Sequence, residues 1–74
     1  MQHPAFYDDY RNRVQAKLNG SNVHKVNGLL GIVLNGSMLV EYFESKGNTA
    51  KAAEHKTDVD ATIRQIKILT GVSL

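Results

Sequence analysis

The sequence predicts an all-α fold in which two long helices form an antiparallel hairpin after a shorter N-terminal helical segment. Residues of one seam recur in steps of three and four over 23–43, and apolar residues between 52 and 69 also fall on one side of a helix, which is the periodicity of a helix with one buried side. Lys46-Gly47 and Gly71 stand where these helices would end, because glycine tolerates the left-handed conformation of many helix ends. The short connection between the helices favours antiparallel packing.

An N-terminal helix is predicted from Pro4 to Leu18. Asp8 and Asp9 would lie near the positive end of its dipole. Asn19-Gly20-Ser21 either ends this helix or is a weak point in a longer one. We therefore divide the chain into an N-terminal helical segment, 1–20, and a hairpin domain, 21–74. The apolar side of the first helix repeats every fourth residue and comprises Phe6, Tyr10, Val14 and Leu18.

Each hairpin helix carries one apolar seam, and Asn48 before Thr49 is suited to cap the start of the second helix. The first seam comprises Val23, Val26, Leu30, Val33, Ser37, Val40 and Phe43, and the second comprises Ala52, Val59, Ile63, Ile66 and Leu69.

A competing prediction is an α+β fold with a central three-stranded meander. Asn-Gly pairs begin at Asn19, Asn27 and Asn35, and Asn-Gly between apolar runs is a strong signal for a tight β-hairpin. The strands would lie near 21–26, 29–34 and 37–43. The helical hairpin is favoured because segment 29–34 does not alternate between polar and apolar residues.

The composition is that of an ordinary globular domain. The chain has 74 residues, 42% hydrophobic and 22% charged, and no cysteine, which excludes a disulfide scaffold and a thiolate zinc site. So short a chain has difficulty burying enough apolar surface alone, and we expect a homodimer. The net charge of +2 comes from scattered Lys and Arg without a basic stripe, so no nucleic-acid partner is expected.

The termini and apolar runs predict a cytoplasmic protein without membrane contact by this segment. The N-terminal MQHPAFYDDY lacks the basic-then-apolar order of a secretory signal. The apolar run from Leu29 to Leu34 is far shorter than the roughly 20 residues of a membrane span.

His24 is the candidate functional residue. On a helix, His24, Gly28, Gly31 and Asn35 would follow one another on one side. A glycine inside a helix costs about 1 kcal/mol relative to alanine, so two beside one histidine suggest that a bulky partner approaches there. Phosphohistidine chemistry needs such an exposed imidazole on a rigid element. The other two histidines, His3 and His55, match no motif, and we expect both to be exposed surface residues.

The stretch LNGSNVHKVNGLLGIVLNGSMLVEYF, residues 18–43, resembles the histidine-bearing helix of a known family. The family is the dimerisation and histidine-phosphotransfer domain of two-component sensor histidine kinases, particularly the nitrogen-regulator and hybrid-kinase type. DVDATIRQIKILTGVS, residues 58–73, is similar to the second helix of the same domain. Matching or similar positions in the first stretch are Leu18, Gly20, His24, Asn27, Leu29, Leu30, Val33, Leu34, Leu39 and Val40.

This resemblance implies a hairpin that dimerises into a four-helix bundle, with His24 as phosphoacceptor and Asn27 as a neighbouring polar group. Gly28, Gly31 and Asn35 would face the partner. That partner would be a response-regulator receiver domain, the ATP-binding domain of a kinase, or both. The resemblance implies no cofactor, and we expect no metal site.

Two positions depart from the family's pattern. Lys25 replaces the acid that follows the histidine, and Gly28 replaces the second Asn of an Asn-Asn pair. The 74 residues leave no room for a nucleotide-binding domain, so phosphate would come from another protein, and enzymatic activity of this chain stays open. The alternative function is a non-catalytic homodimeric helical interaction or regulatory protein. A third, built on the meander, is a small α+β interaction or nucleic-acid module.

Overall fold

The computed structural model describes residues 3–74, and over this range the chain is all-α, as predicted. Its three helices are α1 (Tyr7–Gln15), α2 (Val23–Ser45) and α3 (Thr49–Thr70). The helices α2 and α3 pack along each other as an antiparallel hairpin. Residues 3–74 contain no β-strand, so the predicted meander is not formed.

The Asn-Gly pairs at Asn27 and Asn35 lie inside α2 instead of forming turns. Among residues 3–74, positive φ angles occur only at Gly47 and Gly71, outside these pairs. Burial of the α2 seam explains the outcome. Full burial of a Val or Leu side chain contributes about 1.5–3 kcal/mol, more than the roughly 1 kcal/mol that a helical glycine costs. The buried residues of α2 are Val26, Leu30, Val33 and Ser37.

The helix α1 is shorter than predicted, since it begins at Tyr7 and ends at Gln15. After Gln15 the chain continues as tight turns, in which the N–H of Lys17 donates to the carbonyl of Val14 at 2.9 Å, and Asn19 organises the connection that follows. The side-chain oxygen of Asn19 accepts hydrogen bonds from the backbone N–H of Ser21 at 2.9 Å and from the Ser21 hydroxyl at 2.6 Å. Such local bonds offer the backbone an alternative to the helical pattern, so this segment separates α1 from α2.

The connection between α2 and α3 follows the predicted helix-stop chemistry. Gly47 has φ 73°, and its N–H donates to the carbonyl of Glu44 at 3.1 Å while the N–H of Asn48 donates to that of Phe43 at 2.9 Å. This pair of bonds is the Schellman arrangement. The side chain of Asn48 then accepts from the N–H of Lys51 at 3.2 Å, which caps α3 as predicted.

One apolar core joins all three helices. On α1, Tyr7 is 4% exposed and Tyr10 is fully buried, and the Tyr7 hydroxyl donates to the carbonyl of Leu30 in α2 at 3.2 Å. The tail after α3 also joins α1, because Arg13 donates to the carbonyl of Ser73 at 2.7 Å. Part of the hairpin seam is thus covered within the chain itself. The core comprises Tyr7, Tyr10, Val14, Val26, Leu30, Val33, Val59, Ile66 and Val72.

Candidate functional site

All five predicted site residues lie on α2. His24, Asn27, Gly28 and Asn35 are exposed, and Gly31 is half-buried. His24, Gly28, Gly31 and Asn35 follow the side of the helix opposite the buried seam, as their spacing predicts. Asn27 lies at the edge of this line. The structure therefore brings the predicted residues onto one solvent-facing side of one rigid element.

The segment before His24 is not helical. Leu18 and Gly20, which match the histidine-bearing helix of the sensor kinases, lie in the connection between α1 and α2. His24 consequently stands in the first turn of α2, where no acidic residue is present and Lys25 follows. The N–H groups of a first turn have no partner within the helix, and the dipole there favours negative charge. The surroundings of His24 are therefore compatible with an anionic group.

Gly28 and Gly31 are not required by packing within the chain. A Cβ atom placed on either residue meets nothing within 4 Å. Gly36 differs, because a Cβ atom there would lie 2.5 Å from Cγ2 of Val59 on α3. Gly36 therefore serves the close approach of α2 and α3, whereas the two glycines beside His24 leave open space at the surface.

The exposed side of α2 also carries large apolar side chains, before and after Asn35. Ile32 is 50% exposed, Leu39 40% and Tyr42 46%. No charged residue occurs between Lys25 and Glu41. We name this surface the α2 outer face. It comprises Gly28, Gly31, Ile32, Asn35, Met38, Leu39 and Tyr42.

The apolar members of this face were not predicted from the sequence as a surface. Their signal is present, because positions 28, 32, 35, 39 and 42 alternate steps of four and three, as the buried seam does. The helix α2 therefore carries two stripes with helical spacing on opposite sides. The stripe through Leu30 is the buried one, as predicted, and the second stripe faces solvent.

Aromatic and basic side chains gather at the turn between α2 and α3. The rings of Phe43 and His55 stack with centroids 5.5 Å apart and planes 2° from parallel. The Nζ atom of Lys51 lies 5.9 Å from the Phe43 ring centroid, and that of Lys46 lies 5.7 Å from the Tyr42 ring centroid. His55 is half-buried, so our expectation that it is an exposed surface residue is wrong. His3 is exposed and pairs with an aspartate.

Two tyrosines of α1 have shifted pKa values. Burial raises the pKa of Tyr7 and of Tyr10 above the ordinary value of 10.0, and nearby Arg11 and Arg13 respectively oppose the rise. The Tyr10 hydroxyl has no hydrogen-bond partner among residues 3–74. Both hydroxyl groups lie in the core. Their titration therefore affects the stability of the fold and not the chemistry of the α2 outer face.

The helix α2 is long and apolar enough to cross a membrane by length and composition, although only 22% of its most apolar window is buried in the chain. Core helices of soluble proteins and signal sequences meet the same criteria. The cytoplasmic location and the lack of membrane contact stay predictions. Within residues 3–74, no three His, Asp or Glu side chains group as metal ligands.

Comparison of the chain with protein-family models, with curated proteins and with solved structures found no match. The resemblance to the sensor-kinase hairpin therefore depends on the residues quoted for it, and the phosphoacceptor role of His24 stays a prediction.

Proposed function

We propose that this chain is a homodimeric helical interaction module that associates through the α2 outer face. The exposure of Ile32, Leu39 and Tyr42 on one uncharged helix side carries the proposal. Contiguous exposed apolar surface is typical of interaction sites. Covering the exposed half of such a side chain contributes about 1 kcal/mol. Three of them on each copy give a gain comparable with the lower estimates of the cost of association, so we expect a reversible, concentration-dependent dimer.

The opposite side of the hairpin is less suited to self-association. Tyr7 and Tyr10 of α1 are already buried in the core formed with that side. A dimer through the inner seam would have to displace α1 and expose both rings to water. A dimer through the α2 outer face requires no such rearrangement. This difference favours the outer face as the site of the homodimer that the small size of the chain predicts.

Sedimentation velocity of the full chain over a wide concentration range tests this proposal. We expect the sedimentation coefficient to rise from the monomer to the dimer value, and Ile32→Glu to keep the chain monomeric. The matched control is Ile68→Glu, because Ile68 is an apolar residue of α3 that is 83% exposed. It should dimerise as the unchanged chain does. Circular dichroism checks that both variants keep their helices.

Three results would contradict the proposal: a monomer at every concentration, loss of the dimer in Ile68→Glu but not in Ile32→Glu, or a monomer that binds phospholipid vesicles through Ile32. The last result would assign the α2 outer face to a lipid surface instead of a second copy.

A second candidate function is phosphate transfer through His24. The specific observation in its favour is the position of His24, exposed in a first turn that lacks acidic residues and is followed by Lys25. The unprotonated ring nitrogen would attack the acyl phosphate of a receiver aspartate. A P–N bond forms as the P–O bond breaks, and the aspartate leaves as a carboxylate. The positive end of α2 would lie close to the transferred group.

Incubation with a phosphorylated receiver domain, or with a kinase ATP-binding domain and ATP, tests the second candidate. We expect acid-labile phosphate on the unchanged chain and on His55→Gln, and none on His24→Gln. Equal labelling of His24→Gln, or no labelling of any of the three chains, would contradict a phosphoacceptor role for His24.

A further inference from the structure

The α2 outer face is arranged symmetrically about Asn35. Gly28 and Tyr42 each lie seven residues from Asn35, and Gly31 and Leu39 each lie four residues from it. Ile32 and Met38, which complete the face, each lie three residues away. Positions that are palindromic along a helix superimpose on one another when a second copy is turned end to end. Any helix face has this positional symmetry about its central residue, so the face can form an antiparallel, two-fold contact, and its side chains determine whether that orientation is favoured.

The sizes of the side chains are complementary in this arrangement. The half of the face before Asn35 contains Gly28 and Gly31, and a Cβ atom on either meets nothing within 4 Å. The half after Asn35 contains the large side chains of Leu39 and Tyr42, both partly exposed. Antiparallel packing sets large side chains against the open space above the glycines. Parallel packing would set glycine against glycine and Tyr42 against Tyr42 of the partner subunit, which leaves gaps at one end and crowding at the other.

The polarity of the face also fits a second copy. None of its residues is charged, and the nearby Lys46 ammonium lies at one end, 5.7 Å from the Tyr42 ring centroid. Away from that end, a charged partner would lose hydration without gaining an ion pair. Asn35, at its centre, is the one strongly polar side chain. Because a carboxamide both donates and accepts hydrogen bonds, Asn35 can pair with Asn35 of the partner subunit at a two-fold axis. A shifted register would bury both amides without partners, which costs about 1–3 kcal/mol for each group.

We propose that two copies of the chain pack through their α2 outer faces in antiparallel orientation, with the two Asn35 side chains at the two-fold axis. This arrangement rests on the proposed function, since it describes the dimer named there. A single polar residue in an apolar helix seam is a known way to fix register. Asn35 would therefore be the residue that determines orientation, and the glycines would be the positions that permit close approach.

Disulfide cross-linking tests the arrangement, because the chain has no cysteine of its own. Under mild oxidation we expect Asn35→Cys to form a covalent dimer with itself. Gly28→Cys alone should not cross-link, but a mixture of Gly28→Cys and Tyr42→Cys should give the mixed dimer. Ile68→Cys is the control for random collision. Cross-linking of Gly28→Cys with itself, or of Ile68→Cys as fast as Asn35→Cys, would overturn the antiparallel arrangement.

A charge substitution gives a second measurement in case Asn35→Cys itself alters the register. Asn35→Asp places two carboxylates at one axis, where they repel each other, so this variant should raise the dimer dissociation constant at least about tenfold at neutral pH. Asn27→Asp introduces the same charge on α2 beside the face, and this variant should change the dimer dissociation constant little. Equal effects of the two would contradict the central position of Asn35. A monomeric unchanged chain would refute the proposed function, whereas a dimer with parallel cross-links would refute this inference alone.

Discussion

Gly36 of α2 lies directly against Val59 of α3. The absence of a side chain at Gly36 admits Cγ2 of Val59, which would lie 2.5 Å from an added Cβ atom. Gly28 has the same identity and the same preceding asparagine, yet a Cβ atom there is unopposed. One residue type therefore has two roles on one helix, and only contacts with α3 distinguish them.

We expect Gly36→Ala to lower the free energy of unfolding by about 1–3 kcal/mol, because the added methyl group overpacks the contact with Val59. Gly28→Ala is the matched change, and it should stabilise the monomer by up to about 1 kcal/mol through helix propensity. Urea denaturation below the dimerisation concentration measures both. Adding Val59→Ala to Gly36→Ala should recover part of the loss, and equal stability of the two alanine variants would contradict this account.

At the scale of helices, α1 is held against the hairpin by two tyrosines in different situations. The Tyr7 hydroxyl donates to the carbonyl of Leu30 at 3.2 Å, whereas the buried Tyr10 hydroxyl has no partner within residues 3–74. The apolar spacing of α1 predicts that Tyr10 lies on the buried side of the helix, but it does not include Tyr7. The position of α1 across the seam, which no local pattern encodes, explains why Tyr7 is also buried.

Removal of the two hydroxyls should therefore have unequal effects. Tyr7→Phe loses a hydrogen bond and should destabilise the fold by about 0.5–1.5 kcal/mol. Tyr10→Phe removes a buried polar group without a partner and should be neutral or stabilising. Chemical denaturation at pH 7 measures both variants. A larger loss for Tyr10→Phe than for Tyr7→Phe would show that the Tyr10 hydroxyl has a partner in solution.

The raised tyrosine pKa values predict a loss of stability in alkali. Burial raises the pKa of Tyr10 in the folded chain above 10.0, so the unfolded chain releases its proton first as the pH rises. The stabilisation from the buried neutral ring is complete below pH 10 and decreases as the pH rises from there through the folded pKa. Denaturation midpoints between pH 8 and 11 should fall less steeply for Tyr10→Phe than for the unchanged chain. Lysine titration affects both chains alike, and parallel curves would contradict the shift.

The whole molecule is an elongated hairpin, with extents of 41 × 21 × 18 Å. Its inner seam is partly covered by α1, and its outer face is uncovered. This distribution changes the physical argument for a dimer. The sequence alone favoured a dimer because a short chain buries little surface, whereas the structure identifies one particular uncharged surface that a partner would cover.

A dimer formed by folded chains predicts that thermal stability depends on concentration. Association stabilises the folded state by mass action, so the Tm of the unchanged chain should rise as the protein concentration increases. Ile32→Glu should have a Tm that does not change with concentration. Differential scanning calorimetry at several concentrations makes the comparison. A constant Tm for the unchanged chain would indicate that its folded state is monomeric over that range.

The hairpin, its turn and the end of α3 are predictable because their signals act over a few residues. Apolar spacing defines both long helices, the side chain of Asn48 caps the backbone three residues ahead, and Gly47 and Gly71 adopt the left-handed conformation where their helices end. The exposed line from His24 to Asn35 follows equally from helical geometry once α2 is recognised.

The sequence predicted that the stripe of α2 through Leu30 is buried, and the structure confirms it; tertiary structure decided how much of the opposite stripe is left uncovered. The exposure of the α2 outer face depends on where α3 and α1 pack, and these helices are distant from it in sequence. The same long-range contacts bury Tyr7, separate the role of Gly36 from that of Gly28, and leave Ile32 in solvent. Local pattern determines which residues share a side of a helix and which side is apolar enough to be buried, whereas packing between distant segments determines how much of the other side meets water.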